Sequence, residues 1–198
     1  MSSDIKSKVR EKFSKKAKLF LKTAEKLSEN IEAAAQRIAL CFNRGGKLLL
    51  IGNGGSASDA MHLAAEFVGK FSRPRNPLPA IALVDNPSLL TAIGNDFSFE
   101  DIFSRQVEAL AGKEDILIAI STSGLSKNVL KAVKTAHKKG LFVIGLTGKS
   151  GGDLKKVSDL TLSVPSDDTP EIQEVHIVIG HLIVEIVEEL INDKAAGS

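Results

Sequence analysis

The sequence predicts an α/β protein: a three-layer sandwich on a five-stranded parallel sheet, with additional helices at the N-terminus. Two observations carry this. Short apolar runs alternate with helical stretches from residue 45 onward, the order in which parallel strands are joined by crossover helices. The runs are also continuous, as strands covered on both faces require. At 198 residues and 43% apolar content, the chain fits one compact domain. Within it, residues 1–44 form a helical oligomerisation segment and 45–198 carry the sheet.

In the first segment, apolar residues recur at Ile5, Val9, Phe13, Ala17, Phe20, Ala24, Leu27, Ile31, Ala34, Ile38 and Cys41, steps of three and four that make one helical stripe. Unbroken from Asp4 to Cys41, such a helix is about 57 Å long, against a radius of gyration of roughly 16 Å for a globule of this size. It must break, with Ser28 to Asn30 the candidate, or overhang the domain. An overhanging apolar stripe calls for another chain to cover it.

The first strand is Leu48 to Ile51, followed by the glycine-rich GNGG turn and a helix that Ser56 and Ser58 can cap. Arg73 to Pro79, with three prolines, is a loop, and Ala80 to Val84 the second strand. A short helix from Pro87 to Ile93 closes at Gly94, and a longer one spans Phe99 to Ala111. Ile116 to Ile120, Phe142 to Leu146 and Leu160 to Val164 complete the sheet. Between them lie a helix from Ser126 to Lys139 and a helical turn from Asp153 to Val157. A long helix from Pro170 to Asn192 ends the fold.

Ligands of open parallel sheets bind beyond the carboxyl ends of strands, near a topological switch point. Two loops qualify. GNGG with Ser56 turns backbone N–H groups and a helix N-terminus toward one spot, which suits an anion. The second loop, STSGLS, places the hydroxyls of Ser121, Thr122, Ser123 and Ser126 at the start of the next helix. Four hydroxyls in six residues exceed what helix capping needs, so phosphate is the expected ligand. His62 and Glu66 follow GNGG on one helical face, an acid/base pair beside the anion cradle.

Two similar patterns fail. GNGGSA fits the dinucleotide fingerprint, with Asp85 after the next strand, but Asp85 lies more than thirty residues beyond Gly52 and a dinucleotide leaves STSGLS without a purpose. Gly148, Lys149 and Ser150 imitate a P-loop whose opening glycine would be Val143. On the last helix, Gln173 and His181 lie about 80° apart and share a broad face, while His176 and His181 are about 140° apart. His181 and Glu185 form another i, i+4 pair, so spacing alone does not say which histidine serves chemistry.

The net charge is +2, with eleven Lys or Arg against five Asp or Glu in residues 1–44. No Trp or Tyr is present to stack on bases, so the basic arm reads as a solvated helix face and no nucleic-acid partner is expected. The run from Val175 to Ile191 is too charged for a membrane span. One cysteine, Cys41, makes no intrachain disulfide, and no leader opens the sequence, so a soluble cytoplasmic protein is expected.

Taken together, GNGGSASDA, HLAAE, GND at Gly94 to Asp96, STSGLS, LTGKSGG and PEIQEVHIVIGH resemble the phosphoheptose isomerases of the sugar isomerase (SIS) fold, from about Lys47 to Ile191. That resemblance implies interconversion of sedoheptulose 7-phosphate and D-glycero-D-manno-heptose 7-phosphate, toward heptose for lipopolysaccharide core. It also implies a homotetramer with composite active sites. Substrate contacts would be Asn53, Gly54, Gly55, Ser56, Glu66, Asn95, Asp96, Ser121, Thr122, Ser123, Ser126 and Gln173. Glu66 and His181 match the acid/base pair, with either order of roles left open. His62, Glu66, Gln173 and His181 match a zinc set, and ligation by Glu66 competes with its use as a base. Leu125 stands where STSGNS has Asn, and Lys70 where Arg is usual. The rival reading is a non-enzymatic SIS protein, such as the replication-initiator-associating relatives, which lack the acid/base pair; a sugar-phosphate sensor would keep STSGLS and need neither residue.

Overall fold

A computed structural model describes residues 2–195; Met1 and residues 196–198, the outer limits of the two expected segments, lie outside it. Helix α1 (Ser2–Asn43) leads into β1 (Leu48–Gly52), α2 (Gly55–Val68), β2 (Ala80–Ala82) and α3 (Pro87–Asp96). A 3-10 turn (Phe99–Asp101), α4 (Ser104–Leu110), β3 (Ile116–Ile120), α5 (Lys127–Lys138) and β4 (Phe142–Thr147) follow. The chain ends with α6 (Gly152–Val157), β5 (Leu160–Ser163) and α7 (Thr169–Ala195).

The five strands pair in parallel in the order β2-β1-β3-β4-β5. Side chains alternate between two cores. Leu48, Leu50, Ile116, Ile118 and Ile144 meet α1, α2 and α7 on one face, and Leu49, Ile51, Leu117, Ala119 and Val143 meet α4, α5 and α6 on the other. The expected three layers are therefore present. The chain leaves β1 for β2 on one side and later returns to β3 on the other, so the switch point lies between β1 and β3.

Helix α1 resolves the choice between a break and an overhang. It runs unbroken for 42 residues. Ser28 Oγ donates to the Ala24 carbonyl and Asn30 Nδ2 donates to the Thr161 carbonyl, so the polar stretch is satisfied within a continuous helix. Leu27, Ile31, Ala34 and Ile38 are buried, whereas Ile5, Val9, Phe13 and Leu21 are exposed, Phe13 at 71%.

Four expected boundaries shift. The first turn of α2 is capped by Gly54, at φ 56°, with Ser56 and Ser58 inside the helix rather than capping it. Helix α3 continues through Gly94 to Asp96; Asn86 Oδ1 accepts the Leu89 N–H at its start, and nothing at Gly94 demands a left-handed turn. The stretch expected as one helix from Phe99 divides, because Ser98 Oγ donates to Asp101 Oδ2 and Lys131 pairs with the same carboxylate, fixing a tight turn before α4. Strand β2 is an edge of three residues, ending before Leu83 and Val84, although the Leu83 N–H still reaches the Leu50 carbonyl.

Candidate active site

The switch point gathers the two glycine-containing loops. Strands β1 and β3 pair up to Gly52 and Ile120, so GNGG and STSGLS leave the sheet side by side. They are then bolted together. Asn53 Nδ2 donates to Asn128 Oδ1 at 2.9 Å, and Asn128 Nδ2 donates to Asn53 Oδ1 at 2.8 Å. Asn128 is buried in the first turn of α5, so the side chain of Asn53, an expected substrate contact, is bonded to the start of that helix.

Within STSGLS, Ser121 and Ser126 share a hydrogen bond at 3.0 Å, and Ser121 Oγ accepts the Gly124 N–H. Ser123 Oγ accepts the Leu125 N–H. Gly124, at φ 68°, lets the chain turn, and a Cβ there would overlap the Gly151 carbonyl. The result is a compact hydroxyl-lined turn at the N-terminus of α5, where the Ser126 side chain makes no cap bond.

On the opposite side, α2 lies against α7. Gly180 allows this approach, since a Cβ on it would overlap Leu63, and the Gln173 amide packs where a Cβ of Gly55 would stand. His62 Nε2 and His181 Nε2 are consequently 3.0 Å apart, and His62 Nε2 lies 3.3 Å from Glu66 Oε1. One donor atom from each of His62, Glu66 and His181 lies within 4.8 Å of the others. Two imidazole nitrogens and a carboxylate suit a divalent ion: zinc with ligands at about 2.1 Å holds neighbouring donors about 3.4 Å apart in a tetrahedron. His181 thus partners His62 rather than Glu185, which is exposed.

The other histidine of α7 belongs to the core. His176 is fully buried, its Nε2 is 3.2 Å from the Thr147 carbonyl, and burial holds its pKa down at about 4. Asn95 and Asp96 are both exposed at the end of α3, where Asn95 Nδ2 donates to Asp96 Oδ1. Among the described residues, no hydrogen bond joins them to either loop.

Sequence reasoning missed several residues here. Asp59, one turn before His62, has an enclosed Oδ2 without a partner, and burial pushes its carboxyl up to about 6 while His62 pulls it down. Phe71 packs against His181 with ring centroids 5.1 Å apart and planes tilted by 34°. Arg75 and Glu188 form a buried ion pair at 2.8 Å behind the site. The i, i+7 spacing of His181 and Glu188, which puts both on one stripe of the last helix, was the available signal for Glu188.

Comparison with known proteins decides the family. The SIS domain profile matches residues 12–148. A phosphoheptose isomerase of Roseiflexus sp. is 52% identical over 173 residues, 87% of this chain and 88% of that relative. The chain belongs to the phosphoheptose isomerase family. Its relative in Aquifex aeolicus, also a phosphoheptose isomerase, is 47% identical over 188 residues, 95% of this chain and 98% of its own. Among solved structures, the phosphoheptose isomerase of Francisella tularensis superposes with a TM-score of 0.90 at 40% identity, covering 96% of this chain and 99% of that one. The Neisseria gonorrhoeae enzyme gives 0.88 at 40% identity, covering 93% and 99%.

Proposed function

We propose that this protein is an aldose–ketose isomerase that converts sedoheptulose 7-phosphate to D-glycero-D-manno-heptose 7-phosphate. The observation that carries the reading is the His62, Glu66 and His181 cluster, assembled from α2 and α7 beside two joined anion-binding loops. STSGLS and the N-terminus of α5 hold the phosphate, which anchors the far end of the sugar. The first two carbons then lie against the cluster. The Glu66 carboxylate takes the proton from one carbon and returns it to the next, while His181 moves the proton between their oxygens through an enediol. A zinc ion held by His62, Glu66, Gln173 and His181 would, when bound, polarise the carbonyl and favour negative charge on its oxygen.

The same reading makes residues 1–44 the oligomerisation segment of a homotetramer, with Asn95 and Asp96 reaching a site of another subunit. The exposed Ile5, Val9, Phe13 and Leu21 support it, since an apolar stripe on an overhanging helix needs a cover. Replacing Phe13 and Phe20 with Asp should dissociate the assembly, read as a fall in light-scattering mass. We place the protein in the cytoplasm, supplying heptose for lipopolysaccharide core. Among the described residues no helix is long and apolar enough to cross a membrane, and Cys41 is buried, its thiol pushed up to about 11 by burial.

The test is Glu66→Gln. An amide keeps the size but accepts no proton from carbon, so kcat should fall at least about 100-fold with a much smaller change in KM. Near-parental turnover would remove Glu66 as the base. Loss of bound zinc, with turnover partly restored by added zinc, would make ligation its dominant role.

A further inference from the structure

Behind the cluster, a single carboxylate organises the stretch that joins the end of α2 to the proline-rich loop. Glu188 is fully buried. Its Oε1 accepts the Phe71 N–H at 2.9 Å and Arg75 Nε at 2.8 Å. Its Oε2 accepts the N–H and hydroxyl of Ser72 at 3.0 and 2.9 Å, and the Arg73 N–H at 3.2 Å. Burial alone raises the pKa of such a group, but these donors outweigh it and hold the carboxyl at about 2, so it is ionised.

Arg75 carries the connection onward. Its Nη2 donates to the Glu66 carbonyl and its Nη1 to the Phe67 carbonyl, both at 2.8 Å. These are among the last carbonyls of α2, which have no partner inside the helix. The ion pair therefore grips the backbone of Glu66 itself. On its other side, the Phe71 whose N–H it binds lays its ring against His181. His181 and Glu188 are seven residues apart, so they lie on one stripe of α7 about two turns from each other.

We propose that Arg75 and Glu188 are positioning residues for the acid/base cluster, setting the Glu66 backbone and the ring that backs His181 from one buried point. Stability alone does not account for such a pair. Taking two charges out of water costs about what their attraction returns, and apolar residues of similar volume often replace them without loss. What apolar residues do not reproduce is a guanidinium fork that bonds a carboxylate and two carbonyls in one plane. The geometry of catalysis is what such a fork fixes: a displacement of about 1 Å in a reacting group is worth on the order of 100-fold in rate.

The inference rests on the isomerase reading for its kinetic arm alone. Three variants test it: Arg75→Lys, which keeps the charge without the fork; Glu188→Gln; and the double variant Arg75→Met with Glu188→Leu, which removes both charges together so that neither is left buried and unpaired. For each, kcat, KM and the pH profile of kcat are measured per mole of folded protein. In the absence of substrate, the imidazole NMR resonances of His62 and His181 report their surroundings. We expect kcat to fall by about 10- to 100-fold with KM within about 3-fold, and both the pH profile and the His181 resonances to move. A purely structural role would lower the melting temperature and leave these readouts at parental values. Parental kcat in the double variant overturns the proposal whatever the resonances show. If the parent itself turns over no sedoheptulose 7-phosphate, the isomerase reading has failed. The resonances then decide the positioning role, unmoved ones overturning it and moved ones supporting it.

Discussion

His176 and His181 sit five residues apart on α7 and have opposite surroundings. His176 has no exposed surface, hydrogen-bonds the Thr147 carbonyl and is held neutral by burial. His181 is half-buried, meets His62 at 3.0 Å and packs against the Phe71 ring. The first locks a helix to a strand end; the second meets the His62 and Glu66 side chains of α2. Five residues turn a helix by about 140°, enough to exchange a core for the candidate site. Residue type therefore says little about a histidine until its helical face is known.

The comparison breaks most visibly at His181. His181→Asn should lower kcat by at least about 100-fold while moving the melting temperature little, checked by steady-state assays and thermal unfolding. A stable, active variant would put His181 on the same footing as His176.

His176 should show the reverse pattern. Its pKa is about 4 in the fold against 6.5 for the free side chain. The unfolded chain therefore takes up the proton first, so the contribution is complete above about pH 6.5 and is lost as pH falls toward 4. The loss amounts to about 3 kcal/mol over that window. Denaturant unfolding at pH 7, 5.5 and 4 should show a shallower decline in His176→Gln than in the parent, with turnover at pH 7.5 nearly preserved.

The smallest effect sharpens the contrast from the exposed side. Glu185, at i+4 from His181, looks like a partner by spacing but is exposed. Glu185→Gln should change stability by no more than about 0.5 kcal/mol and leave kcat unaltered. A marked loss of turnover would show that the His181–Glu185 pairing matters after all.

These contrasts also mark what the sequence discloses. The strands were legible because a buried parallel strand leaves a continuous apolar run, as Leu48 to Ile51 and Ile116 to Ile120 do. His62 and Glu66 were legible as an i, i+4 pair, and the resemblance placed His181 with them. Asn128 was not, because its partner Asn53 is 75 residues away and no local pattern marks an amide that will meet another. Arg75 was hidden for the same reason, 113 residues from Glu188 in a loop recognisable only by its prolines. The unbroken α1 followed from no rule of propensity. The Thr161 carbonyl that satisfies Asn30 comes from a distant strand.

The reciprocal amide pair between Asn53 and Asn128 has a thermodynamic consequence. Flexible binding loops must be ordered when a ligand arrives, at roughly 1 to 2 kcal/mol of backbone entropy for each residue fixed. Here that ordering is completed during folding, since two hydrogen bonds weld the glycine turn to the first turn of α5 before any sugar is present. For the phosphate site proposed above, the attraction of the anion for hydroxyls and helix end would appear as affinity instead of being consumed in gathering the loops. The receptor is preorganised, and its free and occupied forms should differ little in the backbone from Gly52 to Ser56 and from Ser121 to Asn128.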